Sequence, residues 1–334
     1  MYESFYSLSG MPFQLTPDKR FYFGSQEHRK AMAFLQYGLS QQEGFVVVTG
    51  EIGAGKTTLV EQLLSTLDPE RFVTARLVTT QLGGFETLCM IGAAFGVYRQ
   101  GMDKATLISA LRGFFDEMRD RQRHPLIIID EAQSLTLDAI EELRMLSNLS
   151  QGARPPFQGI FLGQPEFRSA LSRPELQQLR QRVIASCHLA ALSADETRKY
   201  IEHRLSLVGW AGDPRFSNGA FDEIFRRTGG IPRRINTLCS RLLLMGFLDE
   251  SHAIDTTAVA RVAQEQLEEL GNSADAPGDW DRVPSKHPGN NEESDTLFAL
   301  LGQFDRASDN QRQSAIRVLE LVLKLFGNRE AKEP

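Results

Sequence analysis

Residues 45–58 read Phe-Val-Val-Val-Thr-Gly-Glu-Ile-Gly-Ala-Gly-Lys-Thr-Thr, which places Gly50, Gly55, Lys56 and Thr57 at the spacing G-x-x-x-x-G-K-[ST], with Gly53 between them. Glycines at these places let consecutive backbone N–H groups turn inward around a polyphosphate, whose charge then rests on the positive end of the following helix. Gly50, Glu51, Ile52, Gly53, Ala54, Gly55, Lys56, Thr57 and Thr58 are the candidate cradle. Lys56 would offset the β- and γ-phosphates, and the Thr57 hydroxyl would take one position on Mg²⁺. The expected ligands are therefore ATP and Mg²⁺. A Gly-rich turn that binds nothing requires no particular flanks. Here an apolar β-branched run precedes the loop, and Leu59, Leu63, Leu64 and Leu67 follow it at helical spacing.

A second signal agrees. Leu126-Ile-Ile-Ile-Asp130-Glu131 is an unbroken apolar strand ending in two carboxylates, and such strands belong to parallel sheets covered on both faces. In this Walker B pattern Asp130 holds Mg²⁺, directly or through water, and Glu131 polarises the water that attacks the γ-phosphorus. Two adjacent acids could otherwise simply open a solvated helix. The phosphate loop upstream favours the catalytic reading.

These side chains need a scaffold, and the pattern supplies an α/β one. From Phe45 to about Ala190 strands near 45–49, 73–79, 126–130, 159–163 and 185–189 alternate with helical segments, which predicts a five-stranded parallel sheet. This nucleotide domain spans 45–190. An aromatic segment and helix occupy 1–44, and a wholly helical lid 191–270, where Ser193-Ala-Asp-Glu196 forms a capping box. Residues 271–293 read as a linker and 294–334 as an amphipathic helical tail that docks on a partner or back on the lid. No internal repeat is evident.

Three further positions fit a phosphate site. Gln164 follows the fourth strand, where it can reach the γ-phosphate or the water, or else cap the helix at Pro165. Gly229-Gly-Ile-Pro-Arg233-Arg234 opens a lid helix with two arginines, one of which can reach back to the phosphates; an exposed Arg pair is the alternative. Arg180 and Arg182 precede the fifth strand, where an arginine can enter a neighbouring subunit's site or form an ordinary surface ion pair.

Bulk numbers bound the partners. The chain has 334 residues, is 41% hydrophobic and 24% charged, and carries a net charge of −6, so nucleic acid is not the default partner, although a local basic patch stays open. Three scattered cysteines without C-x-x-C spacing support neither a disulfide framework nor a zinc site. No window reaches the ~18 apolar residues of a membrane span, and the first residues lack the pattern of an export signal. The expectation is a cytoplasmic protein, held at most peripherally at the inner membrane through a partner.

Taken together, these motifs resemble an AAA+ ATPase. Met1-Tyr-Glu-Ser-Phe-Tyr, Pro12-Phe-Gln-Leu-Thr-Pro-Asp18, the 44–58 stretch, Glu141-Glu-Leu-Arg-Met-Leu-Ser-Asn148, Gly163-Gln-Pro-Glu-Phe167 and Gly230-Ile-Pro-Arg-Arg-Ile-Asn-Thr-Leu238 are similar to the ExeA-like secretion ATPases, above all those of exosortase (PEP-CTERM) and exopolysaccharide loci. The resemblance covers roughly residues 1–270. It implies sensor 1 at Gln164, an arginine finger at Arg182, sensor 2 at Arg233, a homo-oligomeric ring or filament, and a protein client in an envelope, polysaccharide or secretion system. Sensor 1 is often Asn, Thr or Ser elsewhere in the superfamily, and the tail does not resemble the membrane and peptidoglycan-binding parts of secretion relatives. Two other functions stay open: a DNA-associated transposition-type regulator, and a nucleotide switch that does not turn over.

Overall fold

The computed structural model describes residues 1–16, 18–78, 82–149 and 155–271. After a short helix α1 (Tyr2–Phe5), helix α2 (Gln26–Ser40) begins where the Ser25 hydroxyl accepts the His28 N–H. Strand β1 (Phe45–Gly50) then leads through the phosphate loop into α3 (Lys56–Thr66), followed by β2 (Phe72–Val78), α4 (Gly84–Ala94), α5 (Lys104–Asp120) and β3 (His124–Asp130). Helix α6 (Leu137–Leu146), β4 (Gln158–Gly163), α7 (Pro165–Leu171), α8 (Gln177–Arg180) and β5 (Val183–Leu189) complete the α/β part. The five expected strands all form, each within two residues of its expected ends.

They make one parallel sheet in the order β2-β3-β4-β1-β5. Side-chain alternation divides it between two cores. Val46, Val48, Leu126, Ile128, Ile160 and Leu162 meet α2 and α3, whereas Val47, Ala75, Leu77, Ile127, Ile129 and Phe161 meet α4 to α8. Because the strands run the same way, Gly50, Asp130 and Gly163 emerge together at the carboxyl rim, where open α/β sheets bind ligands.

The third core belongs to α9 (Ala194–Ser206), α10 (Asn218–Thr228), α11 (Pro232–Leu248) and α12 (Thr256–Gly271). The capping box at Ser193 and Glu196 is present. This part is not wholly helical: β6 (Arg215–Phe216) pairs in parallel with β7 (Ala253–Ile254). Two-residue strands are too short to show a period of two, and they form because backbone groups brought together by the helices need partners.

The segment 1–44 divides between two bodies. Tyr2, Tyr6, Leu8, Phe13 and Phe21 are buried in the core of the α9–α12 helices, whereas Ala31, Leu35 and Leu39 of α2 pack on the sheet. Fully burying an apolar side chain contributes ~1.5–3 kcal/mol, so the aromatics hold the N-terminal strap to the helices more firmly than any single hydrogen bond, at ~1 kcal/mol, could. Arg204 of α9 adds Nε–H to Pro12 O at 2.6 Å and Nη2–H to Gln14 O at 3.4 Å. Met1–Glu269 make one compact unit. The expected linker beyond Gly271 and the tail 294–334 lie outside the described residues.

Candidate functional site

The loop between β1 and α3 is shaped by two glycines that no other residue replaces cheaply. Gly53 and Gly55 have φ of +82° and +101°, and a Cβ at Gly53 would come within 2.3 Å of Arg233 Cβ. At Gly55 the obstacle would be His28 Nε2, 2.8 Å away. Lys56 is buried and donates to Gly50 O at 2.6 Å and Glu51 O at 3.0 Å. Burial lowers its pKa, opposed by the charges of Glu131 and Asp130. Thr58, next in line at the start of α3, also borders the cleft.

Asp130 ends β3 beside this helix start. Its Oδ2 accepts the Thr57 hydroxyl at 2.9 Å, and its Oδ1 accepts the Glu131 N–H at 3.0 Å. Two neighbouring vertices of an octahedron with Mg–O bonds of 2.0–2.1 Å are separated by about 2.9 Å, so this hydroxyl and carboxylate fit a Mg²⁺ ion. No group of three or more His, Cys, Asp or Glu among the described residues could hold a metal.

Glu131 leaves the strand at φ +54°, a left-handed conformation that costs a non-glycine residue about 1–2 kcal/mol. Strain of this kind persists where the surroundings over-determine it. Here the Glu131 Oε2 accepts from Gln133 Nε2 at 2.5 Å and from Gln164 Nε2 at 3.2 Å, while Gln133 Oε1 accepts the Gln164 N–H at 3.0 Å. Gln164 precedes α7 without a side-chain cap bond, so its amide is spent on the carboxylate. A carboxylate so oriented at the carboxyl rim can polarise a water.

The helices α9–α12 close the other side. The Arg233 N–H donates to Gly53 O at 3.2 Å, and the exposed Arg233 side chain borders a cleft of about 400 Å³ shared by the loop, the strap (Gln14, Leu15), Tyr22 and Asn236. Arg234 is held below its usual pKa by burial, with Glu51 acting against it. Arg182 is elsewhere. Its carbonyl accepts the Phe45 N–H at the amino end of β5, the opposite end of the sheet, and its guanidinium donates to Ser147 Oγ at 2.8 Å and to Asn148 Oδ1. Within one chain it cannot act with Glu131. Arg180, also away from the cleft, donates to Ser172 O at 3.4 Å.

Three neighbours of the site were not among the residues expected from the sequence. Gln133 sits two residues past Glu131 in a 3₁₀ turn, a proximity that was available as a signal. Arg76 of β2 reaches Asp130 Oδ2 at 3.4 Å, and buried His28 stands under Gly55 with its Nδ1 2.8 Å from Ser25 Oγ. Neither carries a local pattern; only the pairing of distant elements reveals them.

Comparison with known proteins decides the family. A family described as AAA domain matches residues 39–171. General secretion pathway protein A of Aeromonas hydrophila is 36% identical over 261 residues, 76% of this chain and 46% of that protein. The chain belongs to the AAA+ ATPases. It is related to that secretion protein, of whose length it spans about half. Among solved structures the AAA+ chain is similar to the ORC2 protein of Aeropyrum pernix, determined as ADPNP–ADP complexes, with TM-score 0.58 and 16% identity over 78% of this chain and 73% of that one. Cdc6p of Pyrobaculum aerophilum gives 0.57 and 14% over 79% and 70%. Identities this low establish a shared fold alone. No helix among the described residues is long and apolar enough to cross a membrane.

Proposed function

We propose that this AAA+ protein binds ATP with Mg²⁺ in the cleft between the phosphate loop, the strap and the helical lid, and hydrolyses it. The observation that carries the reading is the convergence at one rim of Thr57 and Asp130 at cation-ligand spacing with a Glu131 carboxylate gripped by Gln133 and Gln164. In this reading residues 50–58 cradle the phosphates, Lys56 offsets their charge, and Thr57 with Asp130 would hold Mg²⁺, which when bound neutralises charge on the phosphates. Glu131 takes the proton of the attacking water, Gln164 keeps that carboxylate aimed, and Arg233 reports nucleotide to the lid through the Gly53 contact. Arg182 serves a neighbour's site in a homo-oligomeric ring or filament, a reading supported by its distance from its own cleft. The domain scheme of a 45–190 nucleotide domain and a 191–270 lid goes with this mechanism.

The work done by hydrolysis is, in our reading, assembly or remodelling of an envelope-directed complex, an exopolysaccharide, exosortase-linked or secretion machine, by a cytoplasmic protein held there through its client. Kinship with a general secretion pathway protein supports this. The test is paired. Purified protein should release phosphate from ATP only with Mg²⁺, and Glu131→Gln should bind ATP but barely turn it over. Tagged Glu131→Gln protein should retain envelope-system components on pull-down. Unimpaired turnover by Glu131→Gln sinks the site; tight, steeply salt-dependent DNA binding moves the client to a transposition-type system.

A further inference from the structure

The Asp130 oxygen that accepts the Thr57 hydroxyl also meets a cation of the protein itself. Arg76 Nη2 lies 3.4 Å from Asp130 Oδ2, while Nη1 lies 3.2 Å from Glu61 Oε1 on α3. The topology explains the meeting. Strand β2 is the parallel neighbour of β3 with Arg76 paired to Ile128, and its alternation sends Ala75 and Leu77 into the α4–α8 core and Arg76 to the α3 face. The Asp130 side chain is 9% exposed, an environment in which a carboxylate needs counter-charge; that of Arg76 is 36% exposed, so it has room to swing.

Any divalent ion at Thr57 and Asp130 must share Oδ2 with this guanidinium or displace it. The two ends of the fork are already on different carboxylates, so release from Asp130 does not strip Arg76 of a partner. Resting on the Mg²⁺ reading above, we propose that Arg76 is a built-in competitor for the divalent cation: it neutralises Asp130 before Mg²⁺–nucleotide arrives, then withdraws onto Glu61. It is a positioning residue, acting on the ion through Asp130, and it sets the Mg²⁺ concentration at which the site loads. A purely structural ion pair pinning an edge strand to α3 would leave that concentration unchanged.

Glu61 makes the proposal testable in both directions. Mg²⁺ is titrated into protein carrying a fluorescent ADP analogue, which removes hydrolysis from the readout, at about 0.15 M salt, where charges this close are not screened out. Arg76→Met, which keeps reach and drops charge, should tighten the apparent Mg²⁺ constant on the order of tenfold, as removing a like charge a few ångströms away does. Arg76→Lys should stay within about threefold of the parent because the charge is kept. Glu61→Gln removes the place to which Arg76 withdraws and should weaken Mg²⁺ by roughly threefold. Equal Mg²⁺ constants for parent and Arg76→Met, or tighter Mg²⁺ binding by Glu61→Gln, would overturn the proposal. Should Arg76→Met fail to fold, the sign of the Glu61→Gln effect decides alone. Parent protein whose analogue binding ignores Mg²⁺ would instead reject Thr57 and Asp130 as a cation site.

Discussion

Replacing Gly53 by Ala asks whether the lid must lie on the phosphate loop for nucleotide to bind. The added Cβ faces two costs. At φ +82° an L side chain costs about 1–2 kcal/mol. Its Cβ would also fall 2.3 Å from Arg233 Cβ, about 1 Å inside ordinary contact, and overpacking of that kind costs ~1–3 kcal/mol. The clash can be relieved by moving α11 off the loop, which gives up the Arg233 N–H to Gly53 O bond, worth ~1 kcal/mol, and opens the cleft. A nucleotide that needs both walls should therefore bind about 2–5 kcal/mol more weakly, roughly 30- to 4,000-fold in the dissociation constant. Fluorescent ATP titration reads the loss, with a thermal melt to show that the fold survives. In a double-mutant cycle, Arg233→Gly removes the opposing Cβ and should recover the steric share of the loss but not the φ share. Binding by Gly53→Ala within about threefold of the parent, or a cycle with no coupling, would refute the claim that loop and lid are clamped at this point.

Lys56→Ala should keep the fold and lose ATP binding by about 1.5–3 kcal/mol or more, the worth of hydrogen bonds to a charged group; unchanged affinity in a folded variant removes Lys56 from the site. Arg182→Ala subunits should bind ATP normally and turn over slowly, and mixing them with Glu131→Gln subunits should restore part of the activity, whereas Arg233→Ala with Glu131→Gln should not. Mixed oligomers without recovery would exclude Arg182 as a finger. Burial pushes the His28 pKa down from 6.5 to about 4, so below pH ~6.5 the unfolded chain takes up a proton that the folded one refuses until pH ~4. Its share of stability is whole above pH 6.5 and falls as pH drops to 4, by on the order of 3 kcal/mol. Denaturant melts across that range should be flatter for His28→Gln, and equal slopes would contradict the assignment.

Chemistry that depends on neighbours along the chain was legible in the residues. The spacing of Gly50, Gly55, Lys56 and Thr57 describes one loop and one helix turn, and the run from Leu126 to Glu131 describes one strand with its acids at the rim, so local geometry alone defines both. The three central strands β1, β3 and β4 were legible for the same reason: a covered parallel strand is apolar nearly throughout. The capping box at Ser193 likewise closes within a single turn. Tertiary structure decided what lies between elements. Strand order set Gln164 on Glu131, and a strand pairing with no local signature set Arg76 on Asp130. The aromatics of residues 2–21 were plainly core, yet their pattern names no destination; burial with α9–α12 drew the strap to the lid. Hydrophobic periodicity states which face is hidden and never what hides it, because burial is non-directional. The clamp of Arg233 on Gly53 and the placing of Arg182 at the far end of the sheet are facts of packing, because each is made by contacts between elements distant along the chain.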